Sequence, residues 1–411
     1  MKNQLELMAP AGSFECLTAA IQAGANSVYF GVEQLNMRTK STHNFVLDDL
    51  PEIVSICKQN QIKSYLTLNT IVYDHDIKLM QNIIDTAQLA GVSAIIATDH
   101  AVLNYCRKKG VTVHISTQAN ITNVDSVEFY SAYADVMVLS RELSLLQVKA
   151  IAKEIERREI KGPSGNLVKL EIFGHGALCM AVSGKCYLSL HSNFSSANRG
   201  ACVQNCRKSY IVTDKDSGNE LEIDNEYIMS AKDLCTIGFL DQIIDAGVSV
   251  LKIEGRGRSA DYVHITTKCY REAIDSVHEG DFSKDKIEDW MQRLSTVFNR
   301  GFWDGYYLGK QLGEWNDSDG SKATKRKIYV GKGITYYAQP KVAEFKMESH
   351  KISLGDTVLI IGPSTGIIEH TLEELRVDGN ESKEAQKGDL ITFPLDLKIR
   401  PSDRLYKWVE L

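Results

Sequence analysis

The sequence predicts an α/β fold: a TIM-like (β/α)8 barrel with a cysteine-rich insertion after its seventh strand, then a small C-terminal antiparallel β-barrel. Three observations lead there. Short apolar runs alternate with amphipathic segments eight times, residues 174–210 carry four cysteines and no acidic residue, and from residue 328 short strands are split by Gly-Asp turns.

The eight runs are LELMA (5–9), SVYF (27–30), KSYLTLN (63–69), SAIIA (93–97), VTVHIS (111–116), DVMVLS (135–140), KLEIF (169–173) and VSVLKI (248–253). Strands buried on both faces read as near-continuous apolar runs, and their alternation with helical patterns such as SFECLTAAIQAGA (13–25) marks parallel βα units. Eight units fit a closed barrel. An open doubly wound sheet is the alternative, because periodicity carries no information on closure. Polar residues follow the strands: Asn69, Gln118 and Asn120, Arg141 and Glu142, His175, Glu254 and Arg256. In a barrel these converge at the C-terminal mouth, where sites are built. Strand-end polar residues also cap helices, a role that suits Ser13 and not Arg141 or Arg256.

The insertion holds Cys179, Cys186, Cys202 and Cys206, separated by six, fifteen and three residues. Zinc ribbons favour two tight cysteine pairs, and only the second pair here is tight. Small residues (Gly176, Ala177, Ser183, Gly184, Gly200, Ala201) let the backbone approach inorganic sulfide, which suits an iron–sulfur cluster better. Zinc and unliganded thiols remain open. Lys185, Arg199, Arg207 and Lys208 would offset the negative charge of such a cluster.

Residues 1–280 thus form the expected barrel, with its cluster loop at 174–210. Residues 281–327 form a helical connector ending in a basic linker with Lys322, Lys325, Arg326 and Lys327. Such runs are usually solvated surface; beside a β unit the alternative is an RNA-facing surface. Residues 328–411 read as an antiparallel β-barrel, with turns at 354–356, 387–389 and 401–403. Its layout resembles the second-domain barrel of translation elongation factors, which implies an RNA-binding role by analogy alone.

Composition excludes several classes. With 43% hydrophobic and 24% charged residues the chain has the makeup of an ordinary soluble protein, and its net charge of −6 argues against indiscriminate nucleic-acid binding. Nine cysteines without a secreted-scaffold pattern, and no membrane-spanning run, give the cytoplasm as the expected location, with no membrane partner. Gly362-Pro363-Ser364-Thr365-Gly366 matches G-x-S-x-G but sits in a turn of the β unit, where a nucleophile elbow has no strand-to-helix context. There is no H-E-x-x-H, no Walker loop and no dinucleotide fingerprint.

LELMAPAGSFECLTAAIQAGANSVYFG, HISTQAN (114–120), VLSRELSL (138–145), FGHGALCMAVSGKCYLS, GACVQNCR and SAKDL…VLKIEGRGRS (230–259) together resemble peptidase family U32 along nearly the whole chain. The resemblance is to its tRNA-hydroxylating members. It implies prephenate-dependent conversion of the tRNA wobble uridine to 5-hydroxyuridine, with tRNA and the Fe–S assembly machinery as partners. It also implies a cluster, expected as [4Fe–4S], on Cys179, Cys186, Cys202 and Cys206. Cys235 falls outside that pattern as a helix-buried thiol. Ribosomal-RNA cytidine hydroxylation and a peptidase or collagenase activity are the alternatives. Prephenate carries two carboxylates, so guanidinium forks are needed. Arg38, Arg141 and Arg258, with Asn44 and Gln118, are the expected substrate-binding set; His175, Arg256 and Glu254 are the expected catalytic set.

Overall fold

Eight parallel strands close into one ring: Glu6–Pro10, Ser27–Phe30, Lys63–Leu68, Ala94–Ala97, Val113–Ile115, Val136–Val138, Lys169–Gly176 and Val250–Ile253. The computed structural model describes residues 5–39, 44–211, 215–216, 229–309, 313–316 and 320–411. All eight sequence runs are barrel strands. Each pairs with the next through the seventh. Val250–Ile253 then closes the ring, pairing Val250 with both Glu6 and Glu171, and Leu251 with both Leu7 and Ile172. A register shift between Phe173 and His175 bends the seventh strand at the mouth.

The crossover helices start where side-chain caps stop the strand-to-helix turn. Ser13 accepts from Cys16 N, Asp99 from Ala101 N and Asn123 from Ser126 N. Ser144 and Gln147 form a reciprocal capping box at helix Leu145–Arg157. Helices Phe14–Gln22, Leu50–Gln59, Ile77–Ala90, His100–Lys109, Val124–Ser131, Leu145–Arg157 and Ala260–Glu279 bury their apolar faces against the strands in one continuous core. After the seventh strand the order changes. The cysteine loop comes first, then the short strand Asp233–Cys235, then helix Leu240–Asp245. Asp233–Cys235 runs antiparallel to the end of the seventh strand and takes Phe302–Trp303 on its other edge. Cys235 is therefore buried at a strand end, not in a helix.

The C-terminal unit is an eight-stranded antiparallel sheet with a second, two-stranded ladder. Its edge strands, Gly366–Thr371 and Asn380–Glu381, are not joined by a ladder, yet Ile368, Leu375, Phe345, Phe393 and Leu405 share one core, so the sheet wraps around it. The first long strand runs Lys325–Tyr337, which puts Lys325, Arg326 and Lys327 inside the sheet rather than in a linker. Lys325 pairs with Glu410 at 3.0 Å and Lys327 with Asp261 of the barrel. The G-x-S-x-G stretch is the hairpin turn that seats this unit on the first barrel helix. Thr18 Oγ1 donates to Pro363 O at 2.6 Å, and Gln22 bridges Thr365 O at 2.8 Å and Ile367 N at 3.0 Å. No helix among the described residues is long and apolar enough to cross a membrane.

Candidate active site

A cavity of about 250 Å³ opens at the C-terminal mouth of the barrel, and the cysteine loop forms its outer wall. Its lining includes Cys179, Cys186, Cys202 and Cys206 from the loop and Tyr29, Thr67, Asn69, Gln118, Arg141, Phe173 and Lys252 from strand ends. Seven cations (Arg38, Arg141, Arg207, Lys252, Arg256, Arg258 and Arg300) face it, against one carboxylate, Glu254. Three of the seven are paired, Arg38 with Glu254, Lys252 with Glu171 and Arg300 with Asp233, and the cations left over favour an anion in the cavity.

Glu254 follows the closing strand. Its carboxylate meets Arg38 Nη2 at 2.6 Å and accepts from Tyr29 Oη at 3.2 Å. Burial alone would push its pKa up; Arg38, Arg141 and Arg256 outweigh burial and hold it at about 2. Arg256 donates from Nη1 to Thr67 Oγ1 at 2.7 Å and to Asn36 Oδ1 at 3.1 Å. Burial lowers its pKa to about 10, which leaves it a cation at neutral pH. Arg256 and Asn36 fit only because residue 31 is glycine, where a Cβ would come within 2.5 Å of Arg256 Nη1 and 2.8 Å of Asn36 Cγ.

Arg141 lies over the Phe173 ring at 3.9 Å and donates to Ala177 O at 3.1 Å; its buried Nε has no hydrogen-bond partner. Arg258 stacks on Phe298 at 3.5 Å. Gln118 is fixed by Ser116 and by Asn69 Nδ2 at 3.2 Å. Lys252, from inside the closing strand, reaches Glu171 at 3.0 Å in the barrel interior and lies over the Tyr29 ring at 4.5 Å.

Two residues expected in the site stand outside the cavity lining. His175 is buried between Tyr262, Tyr270 and Phe302, with ring centroids 6.1, 5.5 and 5.6 Å away. Burial, with Arg258 near it, lowers its pKa to about 3, so it stays neutral. The bend after Phe173 turns its ring into this aromatic box, outside the cavity lining. Asn44 donates to Arg38 O and Thr39 O, each at 3.3 Å, and so steadies the backbone that presents Arg38. The alternation pattern did not reveal Tyr29, Thr67, Lys252 or Arg300. The glycines after the first two strands, Gly12 and Gly31, were the available signal for a crowded mouth, since both lie against Arg256.

All nine cysteines are free, and the four that are not buried are those of the loop. Burial drives the thiols of Cys57 and Cys106 up to about 12 and that of Cys235 to about 11, which makes them inert. Cys206 is raised by burial and by the nearness of Cys179, Cys202 and Cys186, with Arg207 opposing. All four thiols line the one cavity, and they are the residues here that could hold a thiolate-bound cluster. Among the described residues no three His, Cys, Asp or Glu side chains are grouped closely enough to grip a metal ion as they stand. The loop is tied to the barrel by two arginines. Arg207 donates to Leu178 O at 2.6 Å and Ala231 O at 2.5 Å, and Arg199 pairs with Asp76 and donates to Ile71 O at 3.1 Å.

Comparison with known proteins extends this picture. The family model described as Peptidase family U32 matches residues 12–317. A protein named collagenase from Porphyromonas gingivalis is 55% identical over 406 residues, covering 99% of this chain and 98% of that relative. The tRNA hydroxylation protein P1 of Bacillus subtilis is 30% identical over 412 residues, covering 98% of this chain and 94% of that protein. A 23S rRNA 5-hydroxycytidine synthase of Escherichia coli is 33% identical over 327 residues, covering 78% of this chain and 48% of that one. With its barrel, its cysteine loop and the match across three quarters of its length, this chain belongs to peptidase family U32.

Proposed function

We propose that the protein is an RNA hydroxylase that converts the wobble uridine of tRNA to 5-hydroxyuridine with prephenate as co-substrate. The observation that carries this reading is the cavity itself, where Arg141, Arg207, Arg256 and Arg258 remain outside ion pairs beside four free cysteines. A small dicarboxylate is the kind of molecule such a lining selects. Arg38 is already engaged by Glu254, so the forks left to a carboxylate are those of Arg141 and Arg258, with Arg256 fixed behind them.

Cys179, Cys186, Cys202 and Cys206 would hold an iron–sulfur cluster, which when bound supplies one-electron chemistry. The chain's own side chains bind and orient. Gln118 and Asn69 present amide groups to the cavity, and Phe173 and Tyr29 supply its apolar floor. Relatives named for tRNA and rRNA hydroxylation support the RNA reading at the level of the family. The same cavity would equally serve a ribosomal-RNA cytidine, the second reading.

Mass spectrometry of nucleosides from a deletion strain separates the readings. Loss of 5-hydroxyuridine and its derivatives from tRNA is the expected result. Loss of 5-hydroxycytidine from ribosomal RNA alone would assign the second substrate. Intact RNA modification together with loss of gelatin-degrading activity would replace both with the peptidase reading.

A further inference from the structure

The outer face of the cysteine loop is unlike the rest of the surface. Of the 21 large apolar side chains exposed among the described residues, eight belong to residues 180–211: Met180, Val182, Tyr187, Leu188, Leu190, Phe194, Val203 and Ile211. Met180, Val182 and Leu188 also line the cavity, so the exposed face continues into the site. No Asp or Glu occurs in this stretch, and Lys185 and Lys208 stand exposed within it.

Phe194 concentrates the anomaly. It closes the short helix Leu188–Asn193 in the left-handed conformation, φ 50° and ψ 33°, and its side chain is 95% exposed. Glycine is the usual residue at that position, because a Cβ is strained there. A bulky ring that is both strained and solvated gives the fold nothing, and residues held this way cluster at functional surfaces. Tyr187, 68% exposed, is a second ring on the same loop.

We infer that this crest, through Tyr187, Phe194, Lys185 and Lys208, is where the unpaired nucleotides of an RNA loop stack before a base enters the cavity. The inference rests on the RNA reading above and names the surface that reading needs. Aromatic faces hold unpaired bases regardless of sequence, and lysines beside them follow the phosphates. A duplex, whose bases are already stacked, offers such a crest little. The β unit is the weaker candidate for this role, since Lys325 and Lys327 of its basic run are both in ion pairs.

The test is fluorescence anisotropy of the full chain, purified anaerobically, with a labelled RNA hairpin bearing a seven-nucleotide loop and with a blunt duplex of the same stem. Wild type should prefer the hairpin. Phe194→Asn, which tolerates the left-handed backbone, and Tyr187→Ser should each weaken hairpin binding about tenfold and leave duplex binding unchanged. Lys208→Gln should lower the salt dependence of hairpin binding by about one phosphate contact. Phe194→Asn should melt no lower than wild type, so its loss of affinity does not reflect misfolding.

Unchanged hairpin affinity in the double variant Phe194→Asn, Tyr187→Ser overturns the crest and leaves the RNA reading standing. If wild type binds neither RNA, the RNA reading falls and the crest with it. A double variant that keeps its RNA affinity but shifts from dimer to monomer in sedimentation makes the crest a contact for a second copy of this chain, which also overturns the proposal.

Discussion

Arg38 and Glu254 stand 216 residues apart in sequence, and their side chains meet at 2.6 Å in the cavity wall. The pair joins the loop after the second strand to the end of the closing strand. Because Arg38, Arg141 and Arg256 hold Glu254 at about 2, against 4.5 for a free glutamate, its folded-state pKa is depressed. The pair's contribution to stability is therefore present above about pH 4.5 and fades as pH falls toward 2. Glu254→Gln should flatten that acid limb in pH-dependent thermal melts. An acid limb identical to wild type would show that the pair does not stabilise the fold.

Arg256 should be sensitive to shape as well as to charge. Arg256→Lys keeps the cation but loses the planar Nη1 that donates to both Thr67 and Asn36, and should lower stability by about 1–3 kcal/mol in chemical denaturation. RNA hydroxylation should fall by more than this loss of stability explains. Full activity in a folded Arg256→Lys protein would confine Arg256 to the scaffold.

The buried pair Lys252–Glu171 supports the mouth from below. Lys252→Met leaves Glu171 fully buried with no hydrogen bond from an ammonium, at a cost of about 3–5 kcal/mol. Pairing it with Glu171→Leu should recover much of that loss, because both charges are then gone. Denaturation midpoints of the two singles and the double give the coupling directly; additive effects would contradict it.

The cysteines should separate into two groups. Cys179→Ser, Cys186→Ser, Cys202→Ser and Cys206→Ser should each abolish iron and sulfide retention after anaerobic reconstitution. Cys235→Ser, buried beside Tyr270 and Met291, should leave it unchanged. Full iron content in any of the four would remove that residue from the donor set.

The barrel was legible because both-face burial writes itself as contiguous apolar runs, and SVYF and VLKI needed no tertiary information to be seen as strands. The same rule hid Lys252 and Glu171. Each interrupts an apolar strand once, and alternation alone does not say whether such a residue faces solvent or the barrel axis. His175 looked functional because it follows a strand and precedes the first cysteine. The register shift after Phe173, invisible in the residues, turned it into the aromatic box. Lys325 to Lys327 looked like a linker because polar residues precede them; their pairing with Trp408, Val409 and Glu410 of the last strand makes them sheet. The four cysteines were found by spacing, while their common cavity depended on the seventh strand ending at the mouth.

The strand Val250–Ile253 is the wedge between Glu6–Pro10 and Lys169–Gly176, and it is translated after the whole cysteine loop. Until it emerges, the curved sheet gapes along one seam while all four thiols are already outside the ribosome. At about 5–20 residues per second, the stretch from Cys206 to Val250 takes about 2–9 s to make. The whole cysteine loop is therefore made before the strand that closes the barrel beneath it.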